Sequence, residues 1–474
     1  MTENNIIIFG AGPSGMAAAF ELSNNKRKVT IIEKNDTIGG LGRTFHYGDF
    51  ITDLGPHRFF SQNKYLYDFI EDLLGEDWIV VNRLTRFFIN GKFFSYPVDI
   101  KNALFNVGFT RGIHFLSDYI YQRIKEKFIS VNPRNFEELI ISDFGRSLAE
   151  LNMLNYTEKV WGLPCTQIST DWASQRIKDL SLIAVIKKAI FEGDKGPKTL
   201  VDQFYYPRFG TGTIFDSMLD KMRKGDNTQL LLNSYPKSIH HNEEKITQIK
   251  INNNGIYEDF YADKVISSIP ITEFLKILNP APPESILVAA SRLKFRSHVT
   301  LFLTINKEEI FPDQWIYFPN LEVPFGRVME PKNFSKELSP EGKTSLLIEF
   351  FCWETDDIWR MDSQKLCELS LTTLEKYNFL QRTDIIDAYV HKERFAYPVY
   401  DLEYQKNVNI IMDYLQNLKN LTLVGRGGRF RYNNLDHALE MGILAARGIL
   451  ENKSYDIDEI GAGKDYFERG YIQT

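Results

Sequence analysis

The opening forty residues constrain this chain more tightly than any other stretch. Ile6-Ile7-Ile8-Phe9 is an apolar run, β-branched apart from Phe9, with the profile of a strand buried on both faces. Gly10-Ala-Gly12-Pro13-Ser14-Gly15 follows at once, and Met16 to Leu22 then reads as a helix. A second apolar run, Val29 to Ile32, ends at Glu33, about twenty residues past Gly12 as a dinucleotide fingerprint requires. A lone GxGxxG is weak evidence; a strand before it, a helix after it and an acid closing the next strand make it a βαβ nucleotide-binding unit. In such a unit Gly10 permits the tight turn, Gly12 lets the backbone approach a pyrophosphate, and Gly15 lets helix and strand pack closely. The helix start at Pro13 and Ser14 offers a partial positive charge to a diphosphate, and from Ser14 onward unpaired N–H groups, since Pro13 itself has none. Glu33 is placed to accept from ribose hydroxyls, with Lys34 beside it in the expected cofactor set.

Two further features separate FAD from NAD. Gly39-Gly40-Leu41-Gly42-Arg43-Thr44 is a second glycine-rich turn just beyond the acidic strand end. Near the C-terminus, Val424-Gly425-Arg426 closes a strand, and Asn434-Leu435-Asp436-His437 leads into an apolar-faced helix, Asp436 to Leu450. A late strand and helix start of this kind suit the ribityl chain and pyrimidine edge of a flavin. Gly40, Leu41, Gly42, Arg43, Gly425, Arg426, Asn434, Leu435 and Asp436 therefore join the expected cofactor set, and the cofactor is FAD.

The remainder reads as α/β: a Rossmann-like FAD-binding domain with an inserted helical lobe and a second, mostly antiparallel sheet domain. The expected division is 1–64, 205–285 and 400–474 for the discontinuous cofactor domain, 65–204 for the lobe and 286–399 for the second sheet. Within the lobe a hairpin is expected at Arg86 to Tyr96 around Asn90-Gly91, and 192–197 reads as a loop. Lys264 to Ser268 is expected to rejoin the parallel sheet. Ser297 to Thr304, Gln314 to Phe318 and Thr344 to Phe351 read as strands of the second sheet. The net charge of −6 argues against nucleic acid as the main partner but permits an anionic small molecule. Cys165, Cys352 and Cys367 are too few and too scattered for a disulfide framework or a zinc site, so no metal is expected. No signal peptide or apolar window of membrane-spanning length is seen, and a cytoplasmic protein is the expectation. Oligomeric state is left open.

Several motifs resemble the flavoproteins related to UDP-galactopyranose mutase, within the broader amine-oxidase and protoporphyrinogen-oxidase-like group. They are the Gly39–Thr44 turn, Asp53-Leu-Gly55-Pro56-His57-Arg-Phe-Phe-Ser61, Glu158-Lys-Val-Trp161-Gly-Leu-Pro164, Ala173-Ser-Gln-Arg176-Ile, and Phe204 through Gly212. Trp315-Ile-Tyr317 and Gly425-Arg426 through Arg431-Tyr432-Asn-Asn434-Leu-Asp436-His437 complete the set. The first is shared with many flavin oxidases; the KVWG…P…QRI and RYNNLDH segments are more particular to the mutase-like branch.

The resemblance implies an isomerase in cell-surface polysaccharide biosynthesis. Reduced FAD attacks the anomeric carbon of a nucleotide sugar through N5, a pyranose becomes a furanose, and no net redox change results. A multiply charged leaving diphosphate calls for guanidinium groups. By match of motif these are Arg176 and Arg327, with Tyr317, Tyr397 and Tyr432 as phenols for diphosphate and sugar hydroxyls and Tyr96 as a further one. Tyr156 and Trp161 correspond to positions beside the nucleotide base and ribose, and Trp315 is expected to line the same cleft. Core packing is the competing reading for each aromatic. Gly55, Pro56 and His57 correspond to a loop facing the flavin, where the histidine has a structural and redox-sensing role and no general-base one.

Three departures bear on the reading. Pro56 stands where a second glycine is usual and stiffens that loop. Phe334 stands where a tyrosine hydroxyl is common, with Lys332 as the candidate replacement contact, and Thr157 stands where some relatives have asparagine. The competing function is an FAD-dependent oxidoreductase of the amine-oxidase or protoporphyrinogen-oxidase type.

Overall fold

A computed structural model describes residues 5–61, 63–96, 106, 108–128, 132–172 and 203–461. Arg176 and the expected loop at 192–197 lie outside the described residues. The run Ile6-Ile7-Ile8 is fully buried in the strand Asn5–Phe9. This strand is central in a five-stranded parallel sheet ordered Leu421–Leu423, Lys264–Ser267, Asn5–Phe9, Lys28–Ile32, Thr228–Leu231. Apolar residues continue without alternation because both faces are covered. Ile6 and Ile8 pack with the helices Pro13–Asn24, Gly212–Met222 and Leu435–Glu451. Ile7 and Phe9 face a second core that includes a four-stranded sheet of Ser234–His241, Ile246–Asn253, Ile256–Phe260 and Leu278–Asn279.

The helices Pro13–Asn24 and Leu435–Glu451 touch through small residues. A Cβ on Gly442 would lie 2.1 Å from the Ser14 carbonyl oxygen. The Ser14 hydroxyl donates to the Ala438 carbonyl at 2.7 Å. This close pairing brings the chain's last helix to the phosphate-binding turn.

The second sheet has seven strands, ordered Ile385–Pro398, Phe295–Ile305, Thr344–Cys352, Arg327–Met329, Trp315–Tyr317, Thr85–Ile89, Lys92–Tyr96. Neighbours are antiparallel except Trp315–Tyr317 with Thr85–Ile89. One face packs on the helix Ser363–Leu374 through Val299, Ile316, Val328, Ile348 and Phe350. The register lays one row across the opposite face: His391, Thr300, Glu349, Arg327, Tyr317, Phe87, Phe94. Residues facing one another across paired strands share a side of the sheet, so five distant segments contribute to a single line of side chains.

The hairpin forms as its turn chemistry requires, with Asn90 at φ 50° and Gly91 at φ 81°. Its strands extend the seven-stranded sheet, however, although the sequence reading placed them in the helical lobe. Trp78–Asn82, read there as part of a mostly helical stretch, is a strand antiparallel to Gln203–Pro207. Ile385–Pro398 is a 14-residue edge strand that the sequence reading did not assign. The helices that follow the hairpin include Phe109–Phe128, Phe136–Phe144 and Leu154–Trp161, the last ended by Gly162 at φ 64°. Among the described residues no helix is long and apolar enough to cross a membrane.

Candidate functional site

A cleft of about 640 Å³ opens where the parallel sheet's strand ends meet the edge of the second sheet. That volume lies within the range of cofactor sites, about 300–1,000 Å³. Gly10, Gly12, Pro13 and Ser14 form one wall, and Glu33 and Lys34 mark one end. Gly12 is the N-cap of the helix Pro13–Asn24, and no side chain caps that helix start. Its N–H groups are thus left to an anion. Gly10 has φ 90°, and a Cβ there would lie 2.4 Å from Ser268 Oγ, so only glycine fits. Glu33 closes the turn: its Oε2 accepts from the Ala11 N–H at 2.8 Å and its Oε1 from the Asn35 N–H at 2.9 Å. Gly39 N–H donates to the Ala11 carbonyl at 2.7 Å, tying the second glycine turn to the first.

Gly40, Leu41, Gly42 and Arg43 line the middle of the cleft, with Gly425, Arg426, Asn434 and Leu435 opposite. Arg43 is buried and ion-paired with Glu393, so one strand of the second sheet is fixed to the cofactor turn. Gly15, Gly55, Pro56 and Asp436 do not reach the cleft wall. Gly15 serves packing, since a Cβ there would lie 1.9 Å from the Gly10 carbonyl oxygen. Asp436 is buried, and burial lifts its carboxyl to about 7 against opposing backbone and Ser61 hydrogen bonds. The glycine cradle, the uncapped helix start and the acid at the ribose end all fit FAD.

His57 reaches the cleft from a loop held at its root by Asp53. That buried carboxylate accepts from Thr44 Oγ1 at 2.5 Å, Thr211 Oγ1 at 2.6 Å and Tyr206 Oη at 3.0 Å. His57 Nδ1 stands 3.6 Å from Asp53 Oδ2. Asp53 was visible within a motif but not counted as a site residue; two of its three hydroxyl partners, Tyr206 and Thr211, come from the Phe204–Gly212 segment and the third, Thr44, from the second glycine turn.

Beyond His57, the transverse row gathers a chamber-like cluster of polar and aromatic side chains. Arg327 is held in a fork by the fully buried Glu349, with Nη2 donating at 2.8 Å. His298 Nε2 lies 3.0 Å from Glu349 Oε1, and a Cβ on Gly55 would come within 3.1 Å of the same oxygen. Burial alone would raise the Glu349 carboxyl, but the charge and hydrogen bonds of Arg327, aided by His298, hold it at about 2. Tyr317 packs edge-on against Tyr156 at 5.3 Å, under the Arg327 guanidinium at 5.9 Å. Tyr397 and Tyr432 stack at 6.0 Å, and the Arg426 guanidinium sits over both, at 5.2 and 4.9 Å. Arg426 therefore bridges the cofactor cleft and the tyrosine cluster. Burial pushes Tyr397 up to about 12 against the pull of Arg327 and raises Tyr156 well above its ordinary value, so both phenols are protonated donors at neutral pH.

Of the residues expected at the substrate, Arg327, Tyr156, Tyr317, Tyr397 and Tyr432 converge here, and Tyr96 adjoins Tyr317 at 6.0 Å. Trp161 and Trp315 are core residues at 1% and 2% exposure, backing the chamber from behind. Lys332 does not replace a missing hydroxyl: its ammonium donates to the Glu308 and Lys343 carbonyls, away from the cleft. Phe334 is buried between Phe204, Tyr206 and Trp315 and does not line the cleft. Sequence reasoning missed Glu349, His298 and Glu393. The one available signal was a lone carboxylate in the otherwise apolar run TSLLIEFFC.

The chain belongs to the flavin-containing amine oxidoreductase family, whose model matches residues 13–450, and FAD is its cofactor. Within that family it is similar to a probable UDP-galactopyranose mutase of Klebsiella pneumoniae, 31% identical over 175 residues, 35% of this chain and 44% of that protein. The matched stretch thus spans less than half the length of that relative. An L-amino-acid oxidase of Gloydius halys is 22% identical over 456 residues, 83% of this chain and 84% of that one. Among solved structures, reduced UDP-galactopyranose mutase superposes with TM-score 0.84 at 22% identity, covering 100% of this chain and 99% of that one. A putative protoporphyrinogen oxidase from Exiguobacterium gives 0.69 at 16% identity, covering 95% and 99%.

Proposed function

We propose that this protein is a flavin-dependent nucleotide-sugar mutase, interconverting pyranose and furanose forms of a UDP-sugar without net redox change. The observation that carries the reading is the cluster beside His57: a guanidinium on a strand, with the phenols of Tyr156, Tyr317 and Tyr397 gathered about it, of which burial keeps Tyr156 and Tyr397 protonated. Bound reduced FAD supplies the nucleophile for the anomeric carbon through N5. The chain's own task is to hold the nucleotide diphosphate while its bond to the sugar breaks and re-forms. Arg327 offers charge-assisted hydrogen bonds to the diphosphate, and the hydroxyls of Tyr317, Tyr397 and Tyr432 donate further ones. Arg176 is proposed as a second cation for the same group. Tyr156 borders the nucleotide, and His57 with Gly55 and Pro56 holds the loop between chamber and cleft.

A second reading, an FAD-dependent oxidoreductase, draws on one observation: the charge of Arg327 is already neutralised by Glu349, which leaves less for a diphosphate. UDP titration of the reduced protein separates the two. Arg327→Ala is expected to weaken UDP binding by about 1.5–3 kcal/mol, and Tyr397→Phe by about 0.5–1.5 kcal/mol. Wild-type affinity for UDP in both variants would remove the nucleotide from this chamber.

A further inference from the structure

We infer that Lys159 is a positioning residue: its ammonium shapes the connection between Tyr317 and Arg327 and so sets the diphosphate-facing pair, an inference that rests on the nucleotide-sugar reading. Lys159 lies on the helix Leu154–Trp161, one turn beyond Tyr156. Its Nζ donates to four backbone carbonyls: Phe318 at 2.6 Å, Asn320 at 2.5 Å, Val323 at 2.9 Å and Phe325 at 3.1 Å. An ammonium has three N–H donors, so four oxygens at this range form a cage around a cation as much as a set of discrete bonds. All four carbonyls belong to residues 318–326, which join the strand Trp315–Tyr317 to the strand Arg327–Met329.

The cage sits on a fixed base. Phe318 and Phe325 are fully buried, the Phe318 N–H donates to the Gly326 carbonyl at 2.9 Å, and the Gly326 N–H donates to the Glu349 carbonyl at 2.9 Å. A Cβ on Gly326 would meet Phe351 at 2.6 Å and the Lys159 stem at 3.6 Å. The loop has thus closed onto both the sheet and the lysine. Its two ends are the residues that the chamber uses, and the cation it encloses comes from the helix that brings Tyr156 to within 5.3 Å of Tyr317. With its donors turned to carbonyls, Lys159 does not reach the substrate. Removing the ammonium leaves several inward carbonyls without a donor, which the loop can relieve only by moving its ends.

The test uses flavin-loaded protein and the variant Lys159→Met, which keeps the stem and removes the charge. Expected are unchanged FAD content, UDP affinity lowered about tenfold, and faster hydrogen–deuterium exchange confined to 318–327. In Lys159→Ala, n-propylammonium is expected to restore UDP affinity while leaving wild type unaffected, which a general packing defect would not show. Wild-type UDP affinity with wild-type exchange in Lys159→Met overturns the inference. Should neither variant load flavin, the wild type decides: burial draws the Lys159 ammonium down to about 7 against the charge of Glu322, so at about pH 5 a caged ammonium gives a proton-exchange-protected lysine ¹⁵NH₃⁺ resonance, and its absence there overturns the cage. If wild type binds no UDP, the nucleotide reading fails, and the exchange arm still rules on whether Lys159 holds the 318–326 connection.

Discussion

Glu349 carries the strongest electrostatic constraint among the described residues of the chamber. A carboxylate sealed from water is stable only while Arg327, with His298, faces it, so the pair behaves as one unit. Its acid dependence follows from the sign of the shift. The folded value, about 2, lies below the ordinary 4.5, so its contribution is fully present above that ordinary value and is lost as pH falls toward 2. Glu349→Ala strands the guanidinium and is expected to cost about 3–5 kcal/mol of stability at neutral pH. Melting curves across the acid range should show the gap between wild type and Glu349→Gln closing as pH drops; a gap independent of pH would refute the assignment. At this scale the sequence was informative where a residue sits in a motif, as with Arg327's tyrosine partners. It was silent where a residue acts only through tertiary packing: His298 meets Glu349 from a neighbouring strand, and Glu393 meets Arg43 from a turn far away in the chain.

At the scale of elements, the cofactor site depends on two helices meeting without side chains between them. Gly442→Ala places a methyl group 2.1 Å from the Ser14 carbonyl oxygen, and the helices Pro13–Asn24 and Leu435–Glu451 must separate. A loss of about 1–3 kcal/mol is expected, together with reduced FAD content, since Ser14 and Leu435 line the cleft. Thermal unfolding and flavin absorbance per protein check both; full flavin occupancy at unchanged stability would mean the contact is looser than drawn. The strands and helices of the nucleotide unit were legible because buried parallel strands leave uninterrupted apolar runs. Trp78–Asn82 and Ile385–Pro398 were not, because a strand whose partner lies far along the chain and an edge strand with exposed, charged positions carry weak local patterns.

Across the whole molecule, the parallel sheet presents a glycine cradle, the second sheet presents a row of polar side chains, and the ion pair of Arg43 with Glu393 fixes one to the other. The helix Leu154–Trp161 closes the chamber from the third side. In the proposed reading, what the row of Arg327, Tyr317 and Glu349 adds to the cradle is a place for a diphosphate next to the flavin. The measurement that tests this most directly is an anaerobic incubation of the oxidised and the dithionite-reduced protein with a panel of UDP-sugars. Ring form is followed by NMR and the flavin band by absorbance. A furanose product is expected only with reduced protein, with the flavin still reduced after many turnovers. Bleaching of the oxidised flavin in proportion to substrate consumed, with no ring isomer formed, would contradict it and establish an oxidoreductase.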